Sequence, residues 1–262
     1  IREKAEFYPL TSSQERIWFL YKLDNYDPAY NIHFSVRLKG TLDVQILEAS
    51  IVELIQRHES LRTVFIEIPG RPYQAIKEYI HFELPTLDLR QTPEAARRDE
   101  ARRVCNEEAH RPFDLSAGPF IRAKVSHVDE QGYIFLATLH HIIADGWSIS
   151  IFVNELNMLY ESRFWGRQST LLKPTIQFTD YAVWQSKRIQ GDKLNKQLAF
   201  WKKYLEGAPH ELKLPTDRPR PQIQSHSGDI LTFYYSVSFL ESLQALCRQA
   251  GATLYMLLLA AY

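Results

Sequence analysis

The sequence predicts an α/β protein, and three observations carry that prediction. Residues 30–39 alternate, with Ile32, Phe34, Val36 and Leu38 on one face, the period-2 pattern of a half-buried strand. Leu47, Ile51, Leu54, Ile55 and His58 then recur at helical spacing, the core stripe of a helix that Asp43 opens. Farther on, residues 120–128 and 133–139 read as a hairpin around Asp129-Glu130-Gln131-Gly132, with a second amphipathic helix after it. Strands that alternate with amphipathic helices bury a sheet beneath those helices.

The remaining elements follow in order. A short polar lead reaches Tyr8-Pro9-Leu10, and Thr11 or Ser12 caps a helix to about Lys22, with Ile17, Trp18, Leu20 and Tyr21 on its apolar sides. Gly40 ends the first strand. Strands are predicted near 62–68 and 72–77, turned by Pro69-Gly70, and a further strand over 80–88. A heavily charged helix spans about Pro93 to His110. Its Arg97, Arg98, Arg102 and Arg103 read either as a docking patch for an acidic partner or as a solvated face with Glu94–Arg98 and Asp99–Arg103 pairs. Ser148 is placed to cap the helix bearing Ile149, Phe152, Val153, Leu156 and Tyr160. A polar connection at 165–174 precedes a helical region from about Gln177 to Glu206, broken near Gly191-Asp192. Pro215, Pro219 and Pro221 make Leu214 to Gln222 an extended crossover. A strand near Asp229–Val237, a helix near Leu240–Ala250 and an apolar helical run over 254–262 complete the chain. That last run is apolar on all sides, so the chain is expected to continue beyond it.

Composition bounds the partners. The chain has 262 residues, 45% of them hydrophobic and 24% charged, and its 31 basic residues balance 31 acidic ones. No global field points to nucleic acid or a membrane surface, and no apolar run is long enough to span a bilayer. Cys105 and Cys247 have no metal-ligand spacing; they read as structural thiols of a reducing compartment, with the cytoplasm as the default.

Chemistry concentrates at Leu139-His140-His141-Ile142-Ile143-Ala144-Asp145-Gly146-Trp147-Ser148, where an apolar strand delivers two histidines to a loop at a helix start. Adjacent residues on a strand point apart, so His140 and His141 cannot easily share a metal ion. The two side chains therefore face opposite sides of the strand. Asp145 reads as an orienting carboxylate, a helix cap or half of an ion pair. Gly146 either lets backbone and substrate approach closely, with its N–H toward an oxyanion, or simply belongs to an Asp-Gly turn. Of the remaining residues, His58 and Leu61 read as packing, Arg62 as an ion-pair candidate, and Trp18, Trp147 and Trp184 as core.

Several stretches together resemble the condensation domains of nonribosomal peptide synthetases. Thr11-Ser-Ser-Gln14-Glu-Arg16-Ile-Trp18-Phe-Leu20 resembles that family's SxAQxRLWxL, departing at Thr11 and Ser13. RHESLRTVF at 57–65 matches RHExLRTxF in full. LHHIIADGWS at 139–148 matches MHHxISDGWS apart from Leu139 and Ala144, and Phe178-Thr-Asp180-Tyr181-Ala-Val-Trp184 resembles YxDYAVW. The resemblance implies an α+β sandwich: a chloramphenicol-acetyltransferase-like lobe with a mixed sheet and flanking helices, the second lobe truncated. It divides the chain into an N-terminal lobe at 1–174 and, at 175–262, connecting helices, a crossover and the start of a C-terminal lobe.

The resemblance also implies a reaction. An acceptor amine attacks a donor thioester, both held on 4'-phosphopantetheine arms of peptidyl carrier protein domains, beside an adenylation domain, with no cofactor or metal bound directly. It places His141 next to the amine as the reactive group, which leaves His140, on the other side of the strand, as a hydrogen-bonded structural histidine, and it gives Asp145 an arginine partner, either Arg62 or one beyond Tyr262. Histidines at both 140 and 141 point to condensation rather than cyclisation, and Asp-Gly-Trp-Ser to an L-configured donor. Two other readings stay open: a free-standing acyltransferase using coenzyme A thioesters, and a catalytically inert half-domain used for docking. The 262-residue piece alone is expected to be inactive or nearly so.

Overall fold

A computed structural model of the chain describes residues 2–24, 27–211, 214–219, 221 and 231–262. They fall into two compact units, Ile1–Glu211 and Leu212–Tyr262. In chain order the elements of the first are β1 (Tyr8–Pro9), α1 (Ser12–Leu23), β2 (Asn31–Lys39), α2 (Val44–Arg57), β3 (Thr63–Ile68), β4 (Arg71–Ile76), β5 (Thr86–Asp88), α3 (Glu94–His110), β6 (Ile121–Asp129), β7 (Gly132–His140), α4 (Gly146–Phe164), α5 (Phe178–Arg188) and α6 (Gly191–Tyr204). The second holds α7 (Val237–Ala250) and α8 (Leu254–Ala261).

Four strands form a mixed sheet in the order β2-β7-β6-β5, antiparallel except where β5 runs parallel to β6. Its register sets Asn31 opposite His140 and Ile121 opposite Leu139, which puts the motif at the end of a central strand. Helices α2 and α4 cover one face. Leu47, Ile51, Leu54 and Ile55 from α2 meet Phe152, Leu156 and Leu159 from α4 over Phe135, Ala137 and Leu139 of β7. Helix α3 lies against β2, β6 and β7, and Ile134 of β7 joins residues of α3 in lining one groove. Strand β7 is therefore covered on both sides, and so residues 134–139 read as one apolar run instead of alternating. The edge strand β2 keeps its alternation, but Val36 on its apolar face is exposed. The second sheet, β1-β4-β3, turns at Pro69-Gly70, where Gly70 has φ 72.

Three expectations are corrected here. The strand over 80–88 shrinks to β5: Ile80, Phe82 and Leu84 are alternately buried, but among the described residues no strand pairs with 80–84. An extended chain pressed on a core has the same period-2 burial as a strand, and Pro85 has no N–H to extend a ladder. Its carbonyl does accept the Val125 N–H at 3.0 Å. On α3, Arg103 pairs with Glu100 and Glu107 rather than Asp99, while Arg97 donates to the carbonyls of Thr92, Arg90 and Val128. The strand predicted near 229–237 is replaced by irregular chain over 231–236 and by α7 from Val237; residues 229 and 230 lie outside the described residues. A strand needs a neighbour for its backbone groups, and among the described residues none pairs with this segment, whereas Ser236 caps a helix by accepting the Phe239 N–H. Of the crossover expected over 214–222, residues 220 and 222 also lie outside the described residues.

The helical region after 177 divides into α5 and α6, with Gly191 at φ 58 opening the second. Helix α5 packs against β1 and the turn at Glu59–Arg62. Helix α6 has no buried residue. In the second unit α7 ends on left-handed Gly251 and Thr253 caps α8, whose Tyr255, Met256, Leu258 and Leu259 are exposed. Cys105 and Cys247 are both free thiols, and burial raises the pKa of Cys105. Among the described residues no helix is long and apolar enough to cross a membrane.

Candidate active site

Strand geometry separates the two histidines at the end of β7. His140 is 5% exposed, with its ring among Phe113, Phe120 and Tyr30 at centroid distances of 5.9, 6.5 and 6.4 Å. Burial, then His141, then Arg122 lower its pKa to about 4, so the ring is neutral near pH 7. Its Nδ1 accepts the Ile142 N–H at 3.1 Å, which leaves the neutral ring's proton on Nε2. His141 is exposed, and its backbone N–H donates to the Tyr30 carbonyl at 2.8 Å.

A cleft of about 390 Å³ opens over His141. Its lining draws on all four motifs: Gln14 and Arg16 from the first, Ser60 from the second, His141 and Asp145 from the third, Phe178 and Tyr181 from the fourth. Stretches as distant in sequence as residues 14 and 181 thus share one concave surface. Hydrogen bonds fasten the walls together. Gln14 Nε2 donates to the Ile142 carbonyl at 3.2 Å, and the Ser12 N–H donates to Gln185 Oε1 at 2.9 Å.

Asp145 is the N-cap of α4. Its Oδ1 accepts the Ser148 N–H at 2.9 Å and the Ser148 hydroxyl at 2.6 Å, while Ser148 Oγ accepts the Asp145 N–H. The Ser148 hydroxyl and N–H lower the carboxyl's pKa, and His141 lowers it further. The capping assignment therefore moves from Ser148 to Asp145. Of the two arginine partners expected for Asp145, Arg62 is ruled out: its Nη1 donates to the Lys77 carbonyl at 2.6 Å, and among the described residues no acidic side chain pairs with Arg62 and no basic one with Asp145. A carboxylate already bonded to a helix start satisfies its charge without a cation. Gly146 is the first residue of α4, and a Cβ there would meet nothing within 4 Å. The protein's own packing does not demand glycine at this place. Among the described residues nothing accepts its N–H, which is one of the unpaired donors of a helix start.

The second motif supports the site from behind. Arg57 and His58 both bond Glu155 of α4, at 2.9 and 2.6 Å, so the expectation of His58 as simple packing is corrected. Burial opposes the Glu155 charge most, yet the bonds from His58 and Arg57 hold its pKa below the ordinary value. Glu59 accepts from Arg2 at 2.6 Å, and Arg2 also reaches Asp180 of the fourth motif at 3.1 Å. Gln177 also holds the second motif, its Oε1 accepting the Glu59 N–H and its Nε2 donating to the Arg57 carbonyl, both at 3.1 Å. Arg2, Glu155 and Gln177 were not legible as site supports. Each is an isolated polar residue whose partners are far away in sequence, although Glu155 directly beside the apolar Leu156 on α4 is a weak signal. Of the tryptophans expected in the core only Trp18 is buried; Trp147 is 79% exposed and Trp184 about half exposed. Among the described residues no group of three His, Cys, Asp or Glu could hold a metal ion.

Comparison with known proteins adds to this geometry. The family model described as Condensation domain matches residues 4–262. A linear gramicidin synthase chain of Brevibacillus parabrevis is 46% identical over 259 residues, which cover 99% of this chain and 3% of that protein. Among solved structures, an X-domain in complex with OxyB from teicoplanin biosynthesis is 28% identical with a TM-score of 0.82, covering 97% of this chain and 55% of that one. The starter condensation domain of rhizomide synthetase RzmA is 20% identical with a TM-score of 0.71, covering 79% of this chain and 49% of that one. The likeness shows the fold, a chloramphenicol-acetyltransferase-like α/β arrangement with a mixed sheet and flanking helices. The chain spans 3–5% of the length of the gramicidin synthase chains it matches.

Proposed function

The chain belongs to the condensation-domain family, and from that premise we propose that it is part of an amide-forming acyltransferase of a nonribosomal peptide synthetase. The observation that carries the reading is the convergence of four motifs on one cleft with His141 open to it. In the proposed reaction the acceptor amine attacks the carbonyl carbon of a donor thioester. The C–N bond forms, the C–S bond breaks, and the amine proton leaves as the thiolate departs as thiol. Both substrates ride on phosphopantetheine arms of peptidyl carrier domains, next to an adenylation domain. The two free cysteines suit a cytoplasmic setting.

His141 stands at the amine. An α-amine with a pKa of about 8 is already roughly 10% neutral at pH 7, so pre-deprotonation alone contributes only about tenfold. General acid–base catalysis contributes ~10²–10⁴. Orientation of two reactants can contribute about 7–11 kcal/mol. The magnitudes favour His141 as a group that holds the amine by a hydrogen bond and steadies the proton as the C–N bond forms. In this reading the unpaired Gly146 N–H at the start of α4 is the donor to the thioester oxygen as it gains charge. His140 and Asp145 support the loop between them.

The test is carrier dependence in the complete synthetase, with donor and acceptor loaded on their carrier domains and the amide product read by mass spectrometry. Amide is expected only when both carriers are loaded. Equal turnover of free coenzyme A thioesters would move the assignment to a free-standing acyltransferase. An intact domain that binds carriers yet forms no amide would make it an inert docking module.

A further inference from the structure

The Ile142 peptide, next in the chain to His141, is gripped from both sides. Its N–H donates to His140 Nδ1 at 3.1 Å and its C=O accepts from Gln14 Nε2 at 3.2 Å. The same Gln14 amide uses its other end, since Oε1 accepts the Thr11 N–H at 2.9 Å and completes the box that starts α1. Gln14 is 3% exposed, so both ends work away from water, where an unmade hydrogen bond is costly. A primary amide presents a donor and an acceptor side by side on one planar group, and asparagine is one methylene too short to replace it. The His141 N–H is also bonded, to the Tyr30 carbonyl. The backbone that carries the His141 side chain is thus held by β2's lead-in, by His140 and by α1.

We infer that Gln14 is a positioning residue for His141, fixing through the Ile142 carbonyl where the imidazole stands in the cleft. The inference rests on the proposed role of His141 at the reacting amine. Gln14→Glu is nearly isosteric. It keeps the acceptor for Thr11 but turns the donor facing the Ile142 carbonyl into a second acceptor, which repels it. The loop must then shift by a fraction of an ångström or more, while the Ser12 N–H to Gln185 bond still fastens the far wall of the cleft.

The experiment compares wild type, Gln14→Glu, His141→Ala and the double variant in the complete synthetase with loaded carriers. Gln14→Glu is expected to lower kcat about 10- to 100-fold, the scale of a small misplacement of reacting groups. KM for both carriers should stay within about twofold. Because Gln14 acts through His141, the double variant should lose no more than His141→Ala alone. Losses that multiply, or a Gln14→Glu kcat within about twofold of wild type, overturn the inference. If Gln14→Glu does not fold, Gln14→Met takes its place in the same cycle, and failure of both to fold overturns a positioning role in favour of a structural one. Wild-type turnover by His141→Ala would instead remove the reading of His141 beneath it, and that result is visible without any Gln14 variant.

Discussion

His140 and His141 are neighbours in the chain and sit in different solvents. One side of the β7 end is an aromatic pocket, where His140 is neutral, bonded to the Ile142 N–H and closed to water. The other side is the open cleft, where His141 has room for a ligand and keeps its ring free of the core. The difference teaches how a strand end divides labour. Period-2 geometry sends successive side chains to opposite sides, so one histidine builds the loop and the other is left to act from it.

Three experiments break or sharpen this contrast, beginning with the largest effect. His141→Ala in the complete domain should cut amide formation about 10²–10⁴-fold with little change in unfolding midpoint. Activity within a few-fold of wild type, measured by single-turnover product formation, would end the claim that the open side is the reacting side. The buried side should show itself in stability. The folded His140 pKa of about 4 lies below the ordinary 6.5, so its contribution is complete above pH 6.5 and declines as pH falls toward 4. Between pH 7 and 5 this removes about 2 kcal/mol of stability. Urea unfolding at the two pH values should show that loss in wild type and lack it in His140→Asn, which does not titrate. An unchanged slope would place the histidine elsewhere. The smallest effect belongs to Asp145. As an N-cap its replacement by alanine should cost about 1 kcal/mol, whereas Asp145→Asn, which still caps, should cost a few tenths. If Asp145→Asn stays folded but loses activity as fully as His141→Ala, the carboxylate charge acts on His141 and the cap is secondary.

Much of this was legible in advance because it is local. The stripe Leu47-Ile51-Leu54-Ile55, the hairpin over 120–139 and the Pro69-Gly70 turn each need only a few neighbouring residues to specify them. The errors share a cause as well. Ile80, Phe82 and Leu84 alternate like a strand, but what they lack is a partner in space. Ser148 and Asp145 are both good caps, and the choice between them depended on whether the helix starts at residue 146 or three residues later. Helices α2 and α6 have the same length of 14 residues and both carry an apolar face. Helix α2 buries that face on the sheet, whereas α6 leaves Leu198, Phe200, Trp201 and Tyr204 exposed. Amphipathic spacing says which side of a helix is apolar and nothing about what meets it.

By itself, then, the sequence determined the alternation of strands and helices, the delivery of two histidines to a helix start, and the family through four motifs in order. These are properties of spacing along one chain. Only the tertiary structure decided that Asp145 bonds Ser148 and not Arg62, that Arg57 and His58 share Glu155, and that Gln14 reaches the peptide beside His141. The physical reason is that a buried polar group must find a partner, and the partner it finds is whatever the packing brings within about 3 Å, however far away it lies in sequence.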